Sequence, residues 1–419
     1  MDRASATQWH WTNAPFRMPH ANHSAAITLR NRLLEPLLHL GVASTGVGTV
    51  LLGSILPQLS AQWHLRDKDA ALLLLVQFTA AASGALLVRR NLWKALAWGF
   101  GLFGAGGISI FLLQQRSLPI FAVYGLGLGL AMTANNMLAG RRHPNRMGSA
   151  LAIQNFAWSA GAVACPILVA QFLRHAAGAS AYGLLGLLVI PFAFLPFLAD
   201  RRDLAVSTAF SPAPAGIKEA TTIVYFALLA FLYVGMEASV GNWMSTYATR
   251  VTAWNFTGGS LALAVFWAAL LLGRATTPIM LRFLTEHRLY RACVIATIAG
   301  ISLLLAAHSP QVLLAGSALT GLALAPVFPL ILSLFLGEIG GSRNAGWVFA
   351  TAGLGGAVLS WLTGTVSSAT GSLRIGLMVP GAAALLMMAL ITWRRTNQQA
   401  RTTGTQQDSI LQPTSTGEP

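Results

Sequence analysis

Residues 222–248 read TIVYFALLAFLYVGMEASVGNWMSTYA, a stretch whose only charged side chain is Glu237. A helix of about 20 mostly apolar residues spans the ~30 Å hydrocarbon layer of a bilayer. A buried helix of a soluble domain has no need of so long an uncharged run. The stretch therefore reads as a membrane span. Within it Tyr233, Glu237 and Gly241 recur at i, i+4 and i+8, one face of a helix, with Asn242 and Thr246 beside that face.

Eleven more apolar segments flank it, at about 37–60, 70–88, 95–115, 119–139, 149–172, 180–199, 258–281, 291–308, 311–337, 345–368 and 374–393. Composition agrees. Charged residues are 9% and the mean hydropathy is +0.61, where a soluble domain carries about 25% charge. The fold class is an all-α membrane protein of twelve spans. The net charge of +15 and the pI near 11.2 do not indicate nucleic acid, because the basic residues punctuate apolar segments and form no single patch. Cys165 and Cys293 lie inside apolar runs without metal-ligating neighbours and read as small buried hydrophobes. Neither a metal nor a cofactor is expected.

Arg30 and Arg32, Arg89, Arg90 and Lys94, Arg141, Arg142 and Arg146, Arg201 and Arg202, Arg282, Arg288 and Arg291, and Arg394 and Arg395 all fall on one side when the N-terminus is placed in the cytoplasm. That bias orients both termini inward. The polar segment 1–34 lacks the apolar core of a signal peptide and is expected to be a cytoplasmic tail. The Thr/Gln/Ser-rich segment 396–419 is expected to be a disordered one.

The longest connection, 200–221, carries Asp200, Arg201, Arg202, Asp203, Pro212 and Pro214. It reads as a cytoplasmic linker between two six-helix halves, 35–199 and 222–395. Internal repetition points the same way. Gly161-Ala162-Val163 in the fifth segment matches Gly356-Ala357-Val358 in the eleventh. Gly127-Leu128-Gly129-Leu130-Ala131 in the fourth matches Gly321-Leu322-Ala323-Leu324-Ala325 in the tenth, at nearly the same offset. Six plus six helices in a parallel repeat is an architecture of secondary transporters.

The loop after the second segment, Gly84-Ala85-Leu86-Leu87-Val88-Arg89-Arg90, and its weaker copy, Gly273-Arg274 with Arg282, resemble the gating motif of the major facilitator superfamily. The resemblance spans about 35–395. Val88 stands where that motif expects an Asp. Within the superfamily the chain resembles the fucose-permease-like sugar:proton symporters and their sodium-dependent glucose relatives. The stretches that carry this are Gly125–Gly129 followed by Asn135-Asn136, Gln154-Asn155-Phe156-Ala157-Trp158, and Tyr233-Val234-Gly235-Met236-Glu237 continuing through Gly241, Trp243, Thr246 and Tyr247. The fucose-permease type has carboxylates inside its first and fourth helices. Here the first segment has no acid inside it and the fourth offers only amides, so proton coupling does not transfer residue by residue. The resemblance implies gating roles for Gly84, Arg89, Arg90, Gly273 and Arg274.

Glu237 is the sharpest candidate. A carboxylate in mid-span costs a few kcal/mol or more unless paired, protonated or hydrated. It is the expected site of coupling to a proton or to sodium. The competing reading is a protonated, hydrogen-bonded structural acid. Candidate solute contacts are Asn135, Asn136, Gln154, Asn155, Trp158, Tyr233, Asn242, Trp243, Trp267 and Trp361, because amides bind hydroxyls and indoles stack on the C–H face of a sugar ring. Asn135 and Asn136 point about 100° apart, so one is expected to face solute and the other a packed helix. Each Asn, Gln or Trp has a bland alternative in helix packing. The Gly241-Asn242-Trp243 stretch reads either as a local break or as continuous helix.

The chain lacks a Gly-x-x-x-x-Gly-Lys-Ser/Thr phosphate loop, which argues against an ATP-driven pump. It also lacks a Gly-x-Ser-x-Gly elbow and metal-spaced histidines within spans, which argues against an enzyme. The expected function is transport of a small polar solute, a sugar, by alternating access, with proton or sodium symport. The alternative is a proton-coupled exporter of drugs or hydrophobic metabolites. The expected setting is a monomer in a plasma membrane, a bacterial inner membrane, with lipid and a small-molecule substrate as its partners.

Overall fold

A chain crossing hydrocarbon must satisfy its own backbone N–H and C=O groups, which helices do internally. The computed structural model describes residues 21–88, 91–114, 117–143, 146–172, 178–199, 217–252, 254–339 and 345–411, and these contain helices and no strand. The first half comprises α1 (Ala21–Gln62), α2 (Asp67–Leu87), α3 (Leu92–Leu113), α4 (Leu118–Arg142), α5 (Met147–Phe172) and α6 (Ser180–Val189). A 3-10 stretch, Ile190–Leu198, prolongs α6 where Pro191 and Pro196 deny the α-helical ladder its N–H donors. The second half comprises α7 (Ile217–Val251), α8 (Phe256–Met280), α9 (Glu286–Leu305), α10 (Pro310–Leu324), α11 (Val327–Ile339), α12 (Ala345–Thr370), α13 (Leu373–Gly376) and α14 (Met378–Leu411). Pro326 separates α10 from α11, which together form the tenth span. Eleven spans among the described residues are long and apolar enough to cross a membrane. The 26-residue α12 takes the eleventh of the twelve places.

Three boundaries differ from expectation. The last helix continues to Leu411, so residues 396–411 are helical where a disordered tail is expected. No proline interrupts the chain there before Pro413. At the other end α1 begins at Ala21, inside the expected tail, and α7 begins at Ile217, inside the expected linker. Residues 1–20, 200–216 and 412–419 lie outside the described residues.

The halves are built alike. In the first, α1 packs on α5 and α4 on both α2 and α3. In the second, α7 packs on α12 and α10 on both α8 and α9. Lipid removes most of the hydrophobic drive between helices, so close approach has to supply the packing. A Cβ on Gly161 would lie 1.9 Å from the Ala43 carbonyl oxygen, and one on Gly355 would lie 2.0 Å from that of Phe231. Only glycine lets α5 meet α1, and α12 meet α7, at that distance. Both repeats have a different register from the sequence match, Gly355 and not Gly356 taking the place of Gly161. Gly321 faces the Phe266 carbonyl of α8 as Gly125 faces the Gln77 carbonyl of α2, whereas Gly127 faces α3 at Phe103. Ion pairs also pin each half internally. Glu35 of α1 accepts from Arg142 Nε at 3.0 Å and lies 3.0 Å from His143 Nε2, and Arg394 of α14 pairs with Glu338 of α11.

The halves meet along α1·α7, α2·α12 and α5·α8. The outer surface is apolar, with Leu187 63% and Phe197 78% exposed, as lipid contact requires.

Candidate functional site

α7 is continuous from Ile217 to Val251, so Gly241 and Asn242 do not break it. Continuity puts Tyr233 one turn before Glu237, and the Tyr233 hydroxyl donates to Glu237 Oε2. Glu237 is 8% exposed. Its counter-charge comes from α8: Arg274 Nη2 donates to Glu237 Oε2 at 3.2 Å and lies 3.4 Å from the Tyr233 hydroxyl. The other prong, Nη1, crosses to the first half and donates to Ser159 Oγ of α5 at 2.8 Å. A lone carboxylate or guanidinium at this depth would be strongly disfavoured. Paired with each other, and with Tyr233 and Ser159 as further hydrogen-bond partners, the two charges are tolerated.

Aromatic rings wall this pair. Arg274 Cζ lies 5.8 Å from the centre of the Trp158 ring, and Trp158 meets Trp267 edge-to-face at 5.7 Å. Trp267 precedes Arg274 by two helical turns on α8 and presses on Gly241, where a Cβ would lie 2.9 Å from the indole. Phe328 stacks on Tyr233 at 5.4 Å. Several polar atoms here are buried without a protein partner: the indole nitrogens of Trp158 and Trp267, and both amide atoms of Gln154, one turn before Trp158. An unsatisfied buried polar group costs about 1–3 kcal/mol. A cluster of them beside a charge pair is a place to receive hydroxyls or water.

The structure thus brings together Glu237, Tyr233, Arg274, Trp158 and Trp267 among the expected residues. Others fall elsewhere. Asn135 is wholly buried and donates from Nδ2 to the Leu38 carbonyl at 2.9 Å, tying α4 to α1, while Asn136 is half-buried. Asn155 is exposed, turned away from the buried Gln154. Asn242 and Trp243, expected to contact solute, are engaged in packing. Asn242 Nδ2 donates to Ser360 Oγ at 3.2 Å, and the Trp243 indole donates to the Ser360 carbonyl at 2.9 Å, joining α7 to α12. Trp361 is half-buried against the core and makes no ring contact or side-chain hydrogen bond to the charge pair among the described residues.

Of the expected gating residues, Gly84 and Gly273 serve close helix packing. A Cβ would lie 2.3 Å from the Leu126 carbonyl at Gly84 and 2.8 Å from the Leu322 carbonyl at Gly273. Arg274 belongs to the central pair. Arg89 and Arg90 lie outside the described residues. Sequence reasoning missed Ser159, although it directly follows Trp158, and Phe328.

A family model described as Major Facilitator Superfamily matches residues 38–340. The chain is 23% identical over 398 residues to Bypass of stop codon protein 6 of Saccharomyces cerevisiae, covering 83% of this chain and 78% of the relative. It is 22% identical over 351 residues to the glucose/mannose transporter GlcP of Bacillus subtilis, covering 77% and 84%. Among solved structures, a D-xylose-proton symporter superposes with a TM-score of 0.67 at 14% identity, covering 85% of this chain and 96% of that one. A variant of the E. coli fucose:proton symporter FucP superposes with a TM-score of 0.56 at 17% identity, covering 86% and 98%. At these identities the structural likeness carries the fold alone.

Proposed function

This chain belongs to the major facilitator superfamily of membrane transporters, and we propose that it carries a small polar solute, a sugar, by alternating access in symport with a proton or sodium ion. The observation that carries this reading is the compensated Glu237–Arg274 pair beside two indoles and the unpartnered amide of Gln154. A neutral, hydroxyl-rich solute suits such a place. Its oxygens meet the free N–H and C=O groups, its ring lies on an indole, and it brings no charge to upset the pair. The glucose/mannose transporter among the relatives supports the same class.

The geometry supports a coupling role for Glu237. Glu237 as a carboxylate holds Arg274 by charge and hydrogen bond. A proton on Glu237, or a sodium ion at its oxygens, weakens that hold and frees the guanidinium to change partners, including Ser159 of the opposite half. Ion occupancy thereby biases the seam between the halves. In this reading the transporter is a monomer in a bacterial inner membrane with both termini cytoplasmic.

Counterflow in proteoliposomes loaded with a panel of unlabelled sugars tests this, with wild type beside Glu237→Gln. The expected result is sugar exchange by both proteins and ion-driven accumulation by wild type alone. Full accumulation by the variant removes Glu237 from coupling. Exchange of hydrophobic cations but of no sugar replaces the symporter by an exporter, a reading the Trp158–Trp267 wall would also serve.

A further inference from the structure

Asp67 opens α2 in the first half. Arg250 closes α7, and Ser367 lies near the end of α12, both in the second half. Each of these helix ends follows an odd number of crossings, so all three residues sit on the face opposite that of α1's start and α14's end. Arg250 grips Asp67 with two prongs, Nη1 to Oδ2 at 2.7 Å and Nη2 to Oδ1 at 2.6 Å, and the Ser367 hydroxyl donates to Asp67 Oδ2. The Asp67 side chain is 11% exposed and that of Arg250 is 43%, so the carboxylate is sunk beneath its cation.

Below this pair the seam closes by contact of the chains themselves. A Cβ on Gly53 of α1 would lie 2.7 Å from Asn242 Cα of α7. One on Gly364 of α12 would lie 2.6 Å from the Cβ of Ala71, a single turn into α2 from Asp67. These are the helices that must part for the central site to open on this face.

We infer that Asp67, Arg250 and Ser367 form the gate on that face, an ionic latch that closes it and breaks once per transport cycle. The inference rests on transport by alternating access and not on which solute is carried. The magnitudes suit a latch. A fully buried pair would resist opening strongly. A pair open to water on one side holds weakly enough to break, and two-pronged geometry with a third donor strengthens it modestly. Ser367 belongs to the same half as Arg250 and leaves with it, so opening hands the Asp67 carboxylate to water.

The test needs no substrate. Thr246 is buried one turn below Arg250, and Thr246→Cys provides a reporter. A membrane-impermeant maleimide is applied to each side of the membrane in turn, with the full-length chain in proteoliposomes. Otherwise wild-type protein should label slowly from the Asp67 face. Asp67→Asn and Arg250→Gln should each speed labelling from that face on the order of fivefold. The exchanged pair Asp67→Arg with Arg250→Asp should restore protection. Folding of each variant is checked by monodisperse elution and thermal unfolding, and Ser367→Ala supplies a milder variant expected to lie between. Unchanged labelling in the folded single variants, or labelling of the exchanged pair as fast as the singles, overturns the latch. Failure of sugar counterflow would leave it standing.

Discussion

Arg274 of α8 donates to Ser159 of α5 at 2.8 Å, across the seam between the halves, while the same guanidinium holds Glu237 within its own half. The two bonds differ in what their loss leaves behind. Ser159→Ala removes one donor–acceptor contact and keeps the charges matched, so thermal unfolding in detergent should show a loss of about 1 kcal/mol. Arg274→Met strands Glu237 as a buried, unpaired acid and should cost about 3–5 kcal/mol. Adding Glu237→Gln to Arg274→Met should recover much of that loss. Additivity of the two changes would show that the pair is not a unit.

Trp158 and Trp267 offer ring faces and free N–H groups at one place. Replacing either by Phe keeps an aromatic face and removes the donor. The half-saturation for sugar in counterflow should rise about fivefold for each, the worth of one hydrogen bond. An unchanged value for both would move the solute elsewhere.

Trp243 gives the opposite expectation. Its indole is fully buried and its N–H is engaged by the Ser360 carbonyl. Trp243→Phe should lower stability by about 1–3 kcal/mol and leave solute affinity unaltered. A selective loss of affinity at unchanged stability would return Trp243 to the binding site.

The paired glycines test the likeness of the halves. Gly161→Ala and Gly355→Ala each drive a methyl into a carbonyl of the facing helix. Both should lose about 1–3 kcal/mol of stability, the usual cost of overpacking. Tolerance at one position alone would mean that the two helix pairs meet differently.

Much of this architecture was legible in the sequence because lipid demands long uncharged helices, and Glu237 stood out because a mid-span carboxylate is costly. Its partner was less legible. Arg274 is apparent from sequence as a lone basic residue in a span and as part of a degenerate motif, but its distance from Glu237 depends on how α7 and α8 are rotated. A soluble helix advertises its rotation through a polar face. A membrane helix is apolar towards lipid and largely apolar towards its neighbours, so that signal fades. The same blindness placed Asn242 and Trp243 at the solute when they face α12. It also hid the Asp67–Arg250 pair, whose two residues lie just outside the apolar segments 70–88 and 222–248.

Cys165 and Cys293 are both buried, the first against Ser54 in the core and the second within α9. Neither offers sulfur to an aqueous electrophile in this arrangement. The natural chain is therefore a quiet chemical background: a thiol introduced at the seam would supply nearly all the signal, and its two faces can be mapped without first stripping the protein of its own cysteines.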